Sequence, residues 1–161
     1  MSHLDSMRND PLHIVLFEPE IPPNTGNIAR LCACTGSVLH LIHPLGFEIT
    51  NKHLKRAGLD YWKHVQIHEH ADWMSARKTI GSDRNWYGMS SKASRSLWDV
   101  KFQSGDVLVF GPETRGLSQE ILNDLTPVCI PMRSDAPVRS LNLSNACAIT
   151  VFEAIRQLQH G

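Results

Sequence analysis

A chain of 161 residues, 42% hydrophobic and 20% charged, is long enough for one domain to bury a core without disulfides or metals. Its 16 basic and 16 acidic side chains cancel, which excludes a coat of net positive charge for gripping nucleic acid indiscriminately but leaves room for a local basic patch. No apolar run is long enough to span a membrane, and the start MSHLDSMRNDP lacks the apolar middle of an export signal, so a cytoplasmic location is the expectation.

Residues 1–11 read as a loose tail and 12–161 as a single domain. HIVLF (13–17), closed by EPEIPPN, reads as a buried strand. A helix is expected from Asn27 to Thr35, with Asn24 or Thr25 as its cap and Gly36 just past its end. VLHLI (38–42) is a second strand. NKHLKRAGL (51–59) reads as a short basic helix, HVQI (64–67) as a third strand and ADWMSARKTI (71–80) as a helix. NWYGM (85–89) and VLVF (107–110) follow as strands, then a helix at 118–125 capped by Ser118, and a last strand, VCIPM (128–132). The longest amphipathic helix is 143–158, with Ile149, Phe152 and Ile155 as buried candidates. Strands alternating with helices predict an α/β layered fold around a mostly parallel sheet.

Several chemistries lack their motifs. There is no GxGxxG, no GxxxxGK[ST] and no GxSxG. His64, His68 and His70 cluster without cysteines or a helical HExxH, and read as a solvated strand edge rather than a metal site. Cys32, Cys34, Cys129 and Cys147 form no CxxC pair and read as reduced packing residues.

Two loops are more informative. FGPETRG (110–116) follows an apolar strand, and its two glycines bracket Glu113 and Arg115. RSLNLSNA (139–146) gathers hydroxyl and amide side chains ahead of a helix that Ser144 or Asn145 could cap. Both loops leave the carboxyl ends of strands, where ligands sit in open α/β sheets. Arg30 sits in the helix that follows PNTGN. Taken alone, it is either a surface arginine or a grip on an anion.

NTGNIARLC, LVFGPETRGLS and IPM…RSLNLSNA resemble the three ordered motifs of the SPOUT RNA methyltransferases. The match is closest to the small tRNA 2′-O-methyltransferases that modify the wobble nucleotide. It extends through IVLFEPEIPPNTGN, HPLGFEI and KRAGLDYW, and covers Leu12 to Leu158. The resemblance implies an α/β sheet whose carboxyl-terminal segment forms a trefoil knot, S-adenosyl-L-methionine as cofactor, a homodimer, no metal, and the tRNA anticodon stem-loop as substrate. It puts Met89, Gly111, Gly116, Ile130, Met132, Ser140 and Leu141 around the cofactor. Arg30, Ser144 and Asn145 fall on the catalytic positions. Asn24, Asn27, Glu113 and Arg139 fall on the substrate side, joined there by Lys55 and Arg56. An arginine is a poor proton acceptor, since its pKa lies above about 12. Arg30 therefore suits gripping a phosphate and stabilising a developing alkoxide.

The stretch from Lys52 to Lys63 carries Lys52, Lys55, Arg56 and Lys63 interleaved with His53, Tyr61 and Trp62. Basic residues among aromatics suit phosphate contacts and stacking on an unpaired base. Arg133 can add to the same field. Three other readings remain: a related enzyme acting on another RNA position, a cofactor-binding assembly factor without turnover, and a nucleotide-binding α/β protein unrelated to methylation.

Overall fold

A computed structural model describes residues 10–50 and 60–160. The expected basic helix at 51–59, with Lys55 and Arg56, lies outside the described residues. Among those described, six strands form one sheet: β1 (His13–Phe17), β2 (Val38–Ile42), β3 (Ile67–His70), β4 (Trp86–Met89), β5 (Val107–Phe110) and β6 (Thr126–Val128). Their order is β3-β2-β1-β5-β4-β6, and every pairing is parallel. The sheet is thus wholly parallel. Helices α1 (Pro22–Thr35), α2 (Asp60–Trp62), α3 (Trp73–Ile80), α4 (Gln119–Leu122) and α5 (Leu143–His160) connect and flank it.

The strands are apolar because helices cover both faces of a parallel sheet. Ile14, Leu16, Leu39, Leu41, Leu108 and Phe110 join Ile28, Ala29 and Cys32 of α1 and Cys147, Val151 and Ala154 of α5 in the larger core. Val15, Ile42, Val107 and Val109 pack on the opposite face with Trp73, Ala76 and Ile80 of α3. Alternate side chains of β1 and β5 therefore feed different cores, as a period of two requires.

Several expectations need correcting. Helix α1 begins at Pro22, not Asn27, and Ile21 stands at its cap position without a side-chain bond. Asn24 and Thr25 lie inside the helix and are buried. The two prolines occupy its first turn, where a missing N–H costs nothing. Gly36 does end the helix, with φ 72 and its N–H on the Cys32 carbonyl. Strand β3 starts at Ile67 because His64 and Val65 instead close turns onto the Tyr61 and Trp62 carbonyls. Strand β6 ends at Val128, beyond which Cys129 makes one isolated bridge with Ser96. Ile155 is buried, but Ile149 and Phe152 are 38% and 50% exposed.

Burial pushes the Cys32 thiol up to about 12, and raises Cys147 too. Both are inert packing residues. Cys34, expected to pack, is exposed. Asp10, within the stretch read as a tail, pairs with Arg84 at 2.9 Å.

Of the histidines read as a solvated edge, His64 and His68 are exposed but His70 is not. His13 Nδ1 lies 2.9 Å from His40 Nε2, and His40 Nδ1 lies 2.9 Å from His70 Nε2. His68 stacks on His40. His70 is buried rather than solvated. Burial, reinforced by neighbouring cationic groups and imidazoles, lowers His13 to about 4 and His40 to about 2. His13 and His40 are neutral near pH 7. Among the described residues, no group of three or more His, Cys, Asp or Glu side chains converges to hold a metal.

Candidate active site

Strand order reverses between β1 and β5: β2 and β3 lie on one side of the pair, β4 and β6 on the other. The carboxyl ends at such a switch point form the natural ligand crevice of a parallel sheet. The loops leaving those two ends are 18–21 and 111–118, and they clasp each other. Glu113 accepts hydrogen bonds from the Glu20 N–H at 2.8 Å and the Ile21 N–H at 3.2 Å. In return, the Glu20 carboxylate accepts from the Thr114 N–H at 3.3 Å and the Thr114 hydroxyl at 2.8 Å. Arg115 pairs with Glu18 at 3.0 Å. Glu18 itself has φ 49, a left-handed conformation that costs a non-glycine residue of order 1–3 kcal/mol and persists only when its surroundings enforce it.

Two glycines shape the 111–118 loop for different reasons. A Cβ on Gly111 would overlap the Gly116 carbonyl carbon and the Leu117 nitrogen. The close approach that Gly111 permits is thus to its own loop. Gly116 has open space around it but φ 68, and its N–H closes the turn on the Pro112 carbonyl at 2.8 Å.

Asn24 extends the clasp toward α5. Its side-chain amide lies 3.5 Å from Glu113, and its Oδ1 accepts from the Asn142 amide at 3.2 Å. Asn142 Oδ1 in turn accepts from the Ser144 N–H at 2.9 Å, the Ser144 hydroxyl at 2.6 Å and the Asn145 N–H at 3.4 Å. The helix cap is therefore Asn142, not Ser144 or Asn145, which stand in the first turn. Glu113, Asn24, Ser144 and Asn145 lie along this one network. Asn142 and Glu20 were missed. An asparagine two residues before a serine at a helix start is a capping signal, but Ser144 and Asn145 competed for the same reading.

Met89, Gly111 and Ile130 stand at or just past the carboxyl ends of β4, β5 and β6, adjacent in the sheet. Met89 and Ile130 pack against the main core while remaining partly exposed. Met132 and Leu141 are 39% and 40% exposed, and Ser140 and Arg139 are exposed. The N–H groups of Ile130, Met132, Ser140 and Leu141 donate to no other described residue. Met89 and Ile130 offer partly exposed apolar surface of the kind that suits a flat, polar-edged adenine. A cavity of about 540 Å³ opens beside the two clasped loops, between Phe17, Trp73, Arg115 and Ile121, and of the expected cofactor residues only Gly116 lines it. It lies between α3 and α4, and on its walls Glu18 pairs with Arg115 and Asp124 accepts from the Trp73 indole.

Arg30 and Asn27 project from the exposed face of α1. The Arg30 guanidinium carbon sits 5.0 Å from the centre of the Tyr61 ring. Arg133, by contrast, is engaged by Asp135 at 2.7 Å.

The sequence profile of the SpoU rRNA methylase family matches residues 11–152. The chain belongs to that family. A tRNA (cytidine(34)-2'-O)-methyltransferase of Saccharophagus degradans is 52% identical over 149 residues, spanning 91% of this chain and 95% of that protein. A solved structure described as "Structural insights into the 2-OH methylation of C/U34 on tRNA" superposes with a TM-score of 0.89 at 44% identity, covering 94% of this chain and 99% of that one. The SpoU methyltransferase AviRb from Streptomyces viridochromogenes, in complex with the cofactor AdoMet, superposes with a TM-score of 0.78 at 25% identity, covering 92% and 58%. In this SpoU family member the segments NTGNIARLC, LVFGPETRGLS and IPM…RSLNLSNA fall within α1, along and past β5, and between β6 and the start of α5. No helix among the described residues is long and apolar enough to cross a membrane.

Proposed function

We propose that the protein methylates the ribose 2′-hydroxyl of the wobble nucleotide of tRNA, position 34, a cytidine or a modified uridine, in the cytoplasm. The observation that carries this reading is the near end-to-end likeness to proteins named for that reaction. S-adenosyl-L-methionine is the proposed cofactor, held by Met89, Gly111, Gly116, Ile130, Met132, Ser140 and Leu141. When bound, it supplies an electrophilic methyl group on a sulfonium.

The chain's own residues then bind, orient and stabilise. Arg30 grips an adjacent phosphate and stabilises negative charge on the 2′-oxygen. Charge-assisted bonds of this kind are among the strongest available to a side chain. Asn24, Asn27, Ser144, Asn145 and Arg139 hold the ribose and its neighbouring backbone, and Lys55 and Arg56 contact the anticodon arm. Glu113 is a clasp rather than a base, because the N–H groups of Glu20 and Ile21 already engage its two oxygens. The proton leaves to water or to a phosphate oxygen. Alignment of the oxygen with the methyl group supplies much of the rate, as positioning does in bimolecular reactions.

The same reading includes residues 12–161 as a single domain, a carboxyl-terminal trefoil knot and a homodimer. Ile149 and Phe152, apolar and exposed one turn apart on α5, support a partner surface there. Phe152→Glu should convert a dimer to a monomer in sedimentation at micromolar concentration, and an unchanged sedimentation coefficient would remove α5 from the interface.

The test of activity is to incubate the protein with labelled S-adenosylmethionine and total cellular RNA, and to map the label. Label on the ribose at position 34 of tRNA is expected. Label in ribosomal RNA alone, or none, would overturn the assignment.

A further inference from the structure

Arg30 is anchored at its root but long at its tip. Helix α1 is fixed by Ile28, Ala29 and Cys32 in the core, while Arg30 itself is exposed. A free arginine side chain loses about 2 kcal/mol of rotamer entropy when it is ordered. Something that orders it beforehand lowers that cost at the moment of binding.

Tyr61 is built to do this. It sits in the single turn α2, which closes through His64 N–H on the Tyr61 carbonyl at 2.9 Å and Val65 N–H on the Trp62 carbonyl at 3.2 Å. Trp62 and Val65 pack against the main core, so the turn is fixed and Tyr61 is presented toward α1. Its ring centre lies 5.0 Å from the Arg30 guanidinium carbon. A cation over an aromatic ring is attracted by the ring's quadrupole and forms no conventional hydrogen bond with it. The guanidinium therefore keeps its N–H donors for a bidentate phosphate contact. Among the described residues, no carboxylate pairs with Arg30 to compete.

We propose that Tyr61 is a positioning residue whose ring holds the Arg30 guanidinium in place to receive an RNA phosphate. This rests on the role given to Arg30 above. It differs from a role in which Tyr61 stacks on a base, because here the ring acts only through Arg30.

The two roles separate in a binding cycle with a short anticodon stem-loop RNA. Tyr61→Leu should weaken binding about two- to fivefold in the natural protein, the equivalent of an exposed cation–π contact of about 0.5–1 kcal/mol. In an Arg30→Ala background it should weaken binding no further. Tyr61→Phe, which keeps the ring, should restore natural affinity. A second measurement needs no RNA. The Arg30 Nε–H resonance should be shifted upfield by the ring current, retain that shift in Tyr61→Phe and lose it in Tyr61→Leu. Equal losses from Tyr61→Leu in both backgrounds, or an unshifted resonance in the natural protein, would overturn the proposal. Full affinity and activity in Arg30→Ala would remove the role of Arg30 itself. Label appearing at another RNA position would instead remove the wobble assignment, with the coupling between Tyr61 and Arg30 still measured on that RNA.

Discussion

The side-chain amide of Asn142 donates to Asn24 Oδ1 at 3.2 Å, across 118 residues of sequence. That one bond ties the start of α5 to the first turns of α1. Through Asn24 and Glu113 it continues to the loop after β5. Three segments far apart in the chain thus share one polar network at the sheet's switch point.

Removing Asn142 should be felt twice. Asn142→Ala deletes the cap of α5, worth about 0.5–2 kcal/mol, and leaves buried Asn24 short of a donor. Urea unfolding should report a loss of about 1–3 kcal/mol. Asn142→Asp keeps the acceptor for Ser144 but sets a carboxylate against Asn24 Oδ1, and should recover only the capping part. Equal stability of the alanine variant and the natural protein would show that the network contributes nothing.

Gly111 and Gly116 should respond unequally to alanine. At Gly111 the new methyl group meets backbone that cannot rotate away, so the loop must rebuild or the chain will not fold. At Gly116 there is space, and the cost is that of a left-handed alanine, about 1–2 kcal/mol. Soluble yield and thermal unfolding of the two variants check this. A Gly111→Ala protein as stable as Gly116→Ala would contradict the packing described.

Glu113→Gln distinguishes a clasp from a base. One of its oxygens becomes an NH₂ facing the N–H donors of Glu20 or Ile21, so stability should fall by about 1–3 kcal/mol. Methylation should slow while the pH dependence of the residual rate keeps its shape. Disappearance of an ionisation from the pH–rate profile would mean that Glu113 accepts the proton after all.

The histidine chain predicts acid sensitivity. His13, His40 and His70 have lowered pKa values in the folded protein, so below about pH 6.5 the unfolded chain binds protons that the folded chain refuses. Their contribution is fully present above that pH. It is lost as pH falls toward about 4 for His13 and about 2 for His40. Each such group steepens the slope by at most about 1.4 kcal/mol per pH unit. Urea midpoints measured from neutral pH downward should fall steeply, and His40→Gln should flatten the slope. A natural protein equally stable on both sides of its histidine range would refute this.

Much of the architecture was legible because it follows from local rules. Apolar runs bounded by turn residues marked β1, β2 and β5, and the helix-period pattern marked α3 and α5. Where local signals compete, the reading slipped. Pro22 and Pro23 read as part of the segment that closes β1 but open α1. His64 and Val65 read as strand but close a turn. Ile149 and Phe152 read as core, yet face outward. Their hydrophobicity is real, and periodicity cannot tell a core face from a face left for a partner.

The candidate site divides in the same way. The three segments that carry it were marked by the resemblance to a known family, whereas local reading of the residues alone left Arg30 open between a surface arginine and an anion grip. The sequence by itself determined an α/β protein of this family with Arg30, Glu113 and the Ser140–Asn145 stretch set apart. Only the tertiary structure decided that Glu113 is held by backbone N–H groups, that Asn142 rather than Ser144 caps α5, and that Tyr61 lies over Arg30. The reason is physical. The clasp on Glu113 and the placing of Tyr61 over Arg30 depend on distances between elements distant in sequence, fixed by how the chain packs around the sheet, and the cap is a choice among neighbouring residues that the local pattern left open.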